Sequence, residues 1–466
     1  MVRVEADDHG QRANAPRGER AAFVTTQYAF DPANRLCRVV ENATGSTNLQ
    51  ALANPCSDAT QTAGTASANV STRYTYDAVG NLATMIDARG NTTAYGYDAA
   101  GRMTSRTDPL GQALTWTYDP LGNKLNQRNR TDPLLTASVA WTYDGAGRIL
   151  TRTADGLATT YGYDAIGNQL TATTGSQTIT TSYDRLGRPL TVDDEDTGTV
   201  ADTTYTYSLT SPAWTDPTGS YSATLDRFDR TLAVNDPLNA SDFIWTYRAD
   251  GQPATFGQPN GNTTAFAYDA VGRLVSKDTT AAGPTTRADY DWTYNRAGQV
   301  LSELSTITGD PANGSVTYAH DPLERLTGAT LAGQTTAYGW DKVPNRTSVQ
   351  VGAGALATTT FNAANRPTTG TNPTATYGSD LDGRLTIAPG YRYEWDHLGR
   401  LTTVRPPSGG SVISTHTYDP LDRLRMADYI NAYGIDRLDT YGDNQPWCHY
   451  QPIGSGWDYC GFQDYK

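Results

Sequence analysis

Apolar and polar residues alternate with a period of two along most of this chain, in short runs broken by glycine, aspartate and proline. In residues 91–97, Tyr95 and Tyr97 fall on one side and Thr92, Ala94 and Gly96 on the other. The next run opposes Leu114, Trp116 and Tyr118 to Thr115 and Thr117. Such runs predict half-buried strands. Tyrosine and threonine favour pleated strands, whereas the helix formers Lys, Glu and Met are scarce, so long amphipathic helices are not expected. The expectation is an all-β chain with many turns.

The runs repeat. Stretches beginning at Tyr76, Tyr97, Tyr118, Tyr143, Tyr163, Tyr183, Tyr268 and Trp395 share the form Tyr/Trp-Asp-x-x-Gly followed by Arg or Asn, and Tyr418 opens a close copy. Degenerate copies begin at Phe30, Tyr247, Tyr294, His320, Trp340 and Phe361. Successive copies lie mostly about 20 to 26 residues apart, which fits a unit of two strands and two turns. The turn residues are Asp77 and Gly80, Asp98 and Gly101, Asp119 and Gly122, Asp164 and Gly167, and Asp269 and Gly272. A second Asp-x-x-Gly turn lies halfway through the good repeats, as at Asp108 and Gly111. Aspartate at the first position accepts amides two residues on, and glycine at the fourth supplies the positive φ of a type I turn with a bulge.

Two identical odd loops per repeat would flip the aromatic face at every unit, because a one-residue shift inverts a strand. The two turns are therefore expected to differ, one having an even loop or carrying a bulge, with Tyr97 opposite Met103 and Tyr95 opposite Ser105. Equivalent tyrosines should then stack as ladders of offset aromatic pairs. About 17 units of two strands, at ~4.8 Å per strand, would run roughly 160 Å. Right-handed twist makes such a ribbon coil, and a hollow spiral follows.

Composition narrows the partners. The net charge of −13 argues against nucleic acid, whose phosphates need clustered Lys and Arg. No apolar run reaches the ~20 residues of a membrane helix, and the charged first twenty residues lack the apolar core of a signal peptide. Cys37, Cys56, Cys448 and Cys460 form no Cys-x-x-Cys pair. Bridges Cys37–Cys56 and Cys448–Cys460 in an oxidising compartment, or unpaired thiols, both fit.

The recurring Tyr-Asp-x-x-Gly-Arg-Leu, with an Asp-x-x-Gly between copies, resembles the rearrangement-hotspot (RHS), or tyrosine–aspartate, repeat family over roughly residues 28 to 424. The resemblance implies a spiral β-shell that holds a toxic C-terminal segment, or an extracellular adhesion module, in a secreted or cell-surface setting. It also implies toxin cargo, other shell subunits or surface glycans as partners. After Asp422 the chain shows no repeat-associated core and no variable toxin domain. The expected divisions are a loosely attached or disordered segment 1–22, the repeat shell 23–424, and an aromatic tail 425–466. Segment 70–190 should be the most regular. The pattern lapses between Asp196 and Leu225, where a looser hairpin around Ser211–Trp214 is expected.

Candidate chemistry is thin. The run Asp193–Asp196 lacks the 1,3,5 spacing of a calcium loop and reads as a solvated loop. Nearly every other aspartate is accounted for by a turn, which leaves no carboxylate pair for glycoside hydrolysis. His9, His320, His397, His416 and His449 are scattered. No nucleophile elbow, Walker loop or dinucleotide fingerprint occurs, so neither catalysis nor a cofactor nor a metal is expected. Most tryptophans sit at ladder positions. Trp447 and Trp457, outside the repeats, are the candidates for stacking on a sugar ring.

Overall fold

The computed structural model describes residues 2–6, 25–43, 49, 55–56, 65–128, 139–195, 203–208, 211–216, 219–239, 241–282, 286–310, 313–407, 410–431, 434–441 and 445–447. Among them there is no α-helix, and the strands form two antiparallel meanders of 32 and 8 members. Within each meander every strand pairs with its neighbours in sequence, from Val2–Ala6 with Thr25–Phe30 to Gly434–Tyr441 with Gln445–Trp447. The first meander ends at Ala375–Thr376, and the second takes up the chain at Gly378–Ser379. First and last strands do not pair, so the sheet is an open ribbon.

The two turns of a repeat are the same loop. Asp98 donates its amide to the Arg102 carbonyl and accepts the Gly101 amide on its own carbonyl, both at 3.0 Å; Asp108 does likewise with Gln112 and Gly111 at 2.9 Å. The expectation that the turns differ is corrected in one respect: the loops match, and the strand leaving the tyrosine–aspartate turn carries the extra residue. Tyr97 faces Met103, but Gly96 faces Ser105, so Thr104 is bulged out. Tyr95 consequently lies opposite Arg106 rather than Ser105. Arg106 in turn faces Leu114, and the aromatic side passes unbroken to Trp116 and Tyr118. The same bulge recurs at Tyr76, Tyr118, Tyr143, Tyr163, Tyr183, Tyr268, Tyr294 and Tyr418. One bulge per repeat repairs the parity that two odd loops would break.

Coupling between repeats also differs from the expected stacked ladder. The strand pair Met103–Thr107 and Ala113–Tyr118 stays in register only as far as Ser105 and Thr115, which leaves the Met103 carbonyl past the end of the ladder. The Tyr118 hydroxyl donates to it at 2.7 Å. The bond recurs from Tyr143 to Lys124, Tyr163 to Ile149, Tyr247 to Thr231 and Tyr418 to Leu401. Trp340 and Trp395 replace it with an indole N–H to Leu326 and Leu385. Tyrosine and tryptophan exchange here because both carry a donor at the far end of a flat ring. Ring-on-ring contacts occur elsewhere, as between Trp214 and Tyr221 with centroids 5.2 Å apart.

Where a motif ends in arginine, that side chain can tie one turn to the next. Arg102 Nε donates to Asp98 Oδ2 at 2.7 Å, and its Nη1 to the Asp119 carbonyl at 2.6 Å. Its guanidinium lies 5.0 Å from the centre of the Tyr118 ring, a contact worth about 0.5–1 kcal/mol at a half-exposed site. Arg148 and Arg273 repeat the arrangement with Tyr163 and Tyr294. Threonine and serine hydroxyls pair across strands on the other side, for example Thr142 with Thr151 and Thr246 with Thr255, each at 2.6 Å.

Ala29, Cys37, Val40 and Leu49 form a compact apolar core at the start of the ribbon. Cys37 and Cys56 are bridged there, one of the two states the sequence left open, and Cys448–Cys460 lies outside the described residues. Val2–Ala6, within the segment 1–22, forms a strand paired with Thr25–Phe30, and residues 7–22 lie outside the described residues. Strand pairing continues through Leu424–Asn431 and Gly434–Tyr441. The lapse after Asp196 contains a hairpin of Ala213–Asp216 and Gly219–Leu225 and no helix among its described residues.

Degenerate repeats place other residues where glycine takes positive φ. Glu324 sits at φ 65° and is exposed. Left-handed backbone costs a non-glycine residue roughly 1–2 kcal/mol, partly offset by the greater freedom of glycine in the unfolded chain. Glu324→Gly should therefore raise stability by about 0.5–1 kcal/mol, read as a higher urea midpoint.

Candidate functional site

The ribbon has two long rims: one made by the tyrosine–aspartate turns, the other by the turns midway through each repeat. The sequence-predicted turn residues all lie on these rims. Gly80, Gly101, Gly111, Gly122, Gly167 and Gly272 take φ between 77° and 104°. Asp77, Asp98, Asp108, Asp119, Asp164 and Asp269 each accept backbone amides from their own turn. Asp193–Glu195 belongs to the strand Pro189–Glu195. Trp447 ends the strand Gln445–Trp447, and Trp457 lies outside the described residues.

Electrostatics on the tyrosine–aspartate rim run one way. At Asp98, Asp144, Asp184 and Asp269 the backbone N–H of the arginine four residues on holds the carboxyl below its ordinary value. The guanidinium of the same arginine adds to this, and desolvation opposes it without winning. A carboxyl lowered in the fold contributes stability in full above its unfolded value near 3.8 and loses it as pH falls through the folded value. The urea midpoint should therefore hold steady from about pH 7 to about pH 5 and fall steeply below about pH 4. A midpoint that rose on acidification would contradict the turn assignment.

The feature that sequence reasoning missed is where the rims meet. Arg325 donates to the Ala66 carbonyl at 2.8 Å. Arg89 reaches the Phe361 carbonyl at 3.2 Å and Asn365 Oδ1 at 2.9 Å, and lies 3.6 Å from Asp341. Arg366 pairs with Asp108 at 2.8 Å, their side chains only 13% and 8% exposed. Beyond them His397 meets Asp155, and Arg152 pairs with Asp422. These partners are 242 to 276 residues apart and advance together along the chain. The tyrosine–aspartate rim of a second coil therefore rests on the mid-repeat rim of the first. Between the turns at Arg89 and Asp341 lie 23 strands, which at ~4.8 Å each make about 110 Å of ribbon and a ring about 35 Å across. No local signal marks this seam, since Arg89 and Asp341 look like any other turn residues.

Comparison with known proteins agrees with this architecture. A family model described as the RHS repeat matches four segments, 76–113, 97–128, 143–180 and 247–286. The chain carries RHS repeats in these segments. Its fold is similar to that of the crystal structure of TcdB2-TccC3, with a TM-score of 0.57 and 14% identity over 90% of this chain and 29% of that one. The TcdB2-TccC3-Cdc42 structure gives 0.54 and 14%, with 90% and 28% covered. TcdB2-TccC3 without its hypervariable C-terminal region gives 0.53 and 15%, with the same coverage. The chain thus spans under a third of the length of the chains it matches. No curated protein sequence matches it. Among the described residues no three His, Cys, Asp or Glu side chains gather where a metal ion would sit, and no helix is long and apolar enough to cross a membrane.

Proposed function

We propose that this RHS chain is a non-catalytic shell wall that encloses or presents a polypeptide in a toxin-delivery or contact-dependent competition system. The observation that carries the reading is the seam. Ion pairs and hydrogen bonds between residues some 250 positions apart seat one coil on the other, which gives the ribbon an inside. Similarity of fold to TcdB2-TccC3 supports the same reading. The Cys37–Cys56 bridge fits a chain that reaches an oxidising, extracellular or cell-surface setting.

Protease protection tests the proposal. A flexible passenger peptide fused after Lys466 should survive proteolysis while the shell is intact, and should be cut once the seam is opened by Arg366→Met. Cleavage at the rate of the free peptide in both would refute it. Binding of glycans, through Trp447 and Trp457 or elsewhere, has no observation in its favour: motif rings such as Tyr118, Tyr143, Tyr163, Trp340 and Trp395 are committed to carbonyls of the adjoining repeat.

A further inference from the structure

The third residue of the tyrosine–aspartate turn is often large and apolar, and the ribbon presents it in two settings. On the first coil Val79 is 84% exposed, Leu121 80%, Leu186 78%, Ile166 75% and Val271 72%. On the second coil the residues at the same turn position, Leu323, Val343, Leu398 and Leu421, are half-buried. Turn chemistry does not separate the two sets. Asp119-Pro-Leu and Asp419-Pro-Leu are identical for three residues, yet Pro120 is exposed and Pro420 wholly buried. What separates them is the adjoining coil. The second coil's tyrosine–aspartate rim is seated on the first coil, whereas no coil among the described residues covers the first coil's rim.

At its other end the spiral leaves uncovered the mid-repeat rim of the second coil, where Leu331, Val351 and Leu356 are 38%, 48% and 45% exposed. This rim is of the same kind as the one on which the second coil already rests. We infer that the first coil's row of exposed turn tips is a docking rim for the free mid-repeat rim of a second copy of this chain. The contact continues the intramolecular seam: the operation that carries coil one onto coil two carries coil two onto the next molecule. Such a contact joins two different surfaces, so it does not close on itself and extends into stacks. Isolated apolar side chains on a surface are ordinary, but a row of them at one repeat position, half-buried where a coil covers it, marks an interface. The inference extends the shell reading by naming a surface and a partner, and it fails separately from it.

Sedimentation equilibrium of the full chain tests it. The weight-average mass of the wild type should climb with concentration beyond that of a dimer. Val79→Asp/Leu121→Asp/Ile166→Asp, which blocks one end, and Val351→Asp/Leu356→Asp, which blocks the other, should each sediment as monomers. Mixed together, the two variants should form dimers and nothing larger, because each retains the end the other lacks. All five positions are at least 45% exposed, so both variants should keep the wild-type circular dichroism and melting curve. A wild type that stays monomeric throughout, or two variants that still associate, would overturn the inference. A monomer that still shields the fused passenger would leave the shell reading in place.

Discussion

Arg366→Met should cost about 3 kcal/mol and visibly broaden the unfolding transition. Arg366 and Asp108 are the most enclosed cross-coil ion pair among the described residues, and removing the cation strands a carboxylate that water barely reaches. Its bond to the Asp380 carbonyl goes as well. Repeat arrays without long-range contacts unfold as a sum of unit and nearest-neighbour terms, which gives a shallow, stepwise transition. The seam joins the first coil to the second, so the wild type should melt more sharply than such a sum allows. Urea titration followed by circular dichroism reads both effects, the midpoint and the slope. Adding Asp108→Asn, which keeps an acceptor for the turn amides but removes the stranded charge, should recover part of the loss. A variant with the wild-type midpoint and slope would mean that the coils do not bear on one another.

Gly101→Val should be far more damaging than Ala100→Val, although the residues are adjacent and both sit in an exposed turn. Gly101 takes φ 77°, and an added Cβ would meet only Asn81 Oδ1 at 3.6 Å. The penalty is therefore conformational rather than steric crowding by neighbours. A β-branched side chain in that region should cost about 2 kcal/mol or more, whereas Ala100→Val should stay within about 0.5 kcal/mol. Equal shifts in urea midpoint would refute the turn geometry. Because Arg102 leaves this same turn to reach the next, the damage should spread to the neighbouring repeat.

The repeat unit was legible because its signals are local. Aspartate, glycine and the tyrosine pair each fix backbone geometry within a few residues, so the loops at Asp98 and Asp108 and the shared face of Tyr95 and Tyr97 could be read directly. Parity arithmetic even required an extra residue, but Thr104 is chemically ordinary and nothing in the sequence said that the strand, rather than the loop, would hold it. The hydroxyl-to-carbonyl bond of Tyr118 was hidden for the same reason, since it exists only because the ladder stops at Ser105. The seam was out of reach altogether. Which turn faces Arg89 depends on twist summed over 23 strands, and a small error per strand moves the answer by whole repeats.

That distance along the chain also sets an order of events during synthesis. A ribosome adding about 5–20 residues per second needs tens of seconds to travel from Ala66 to Arg325, and until then the first coil has nothing to close against. Each new hairpin can pair with the one before it as it emerges, so the wall grows from its first strand onward as an open gutter. On the proposed shell reading, the gutter becomes a chamber only when the second coil arrives, and a cargo must already be lying in it by that moment or be threaded in afterwards through an end.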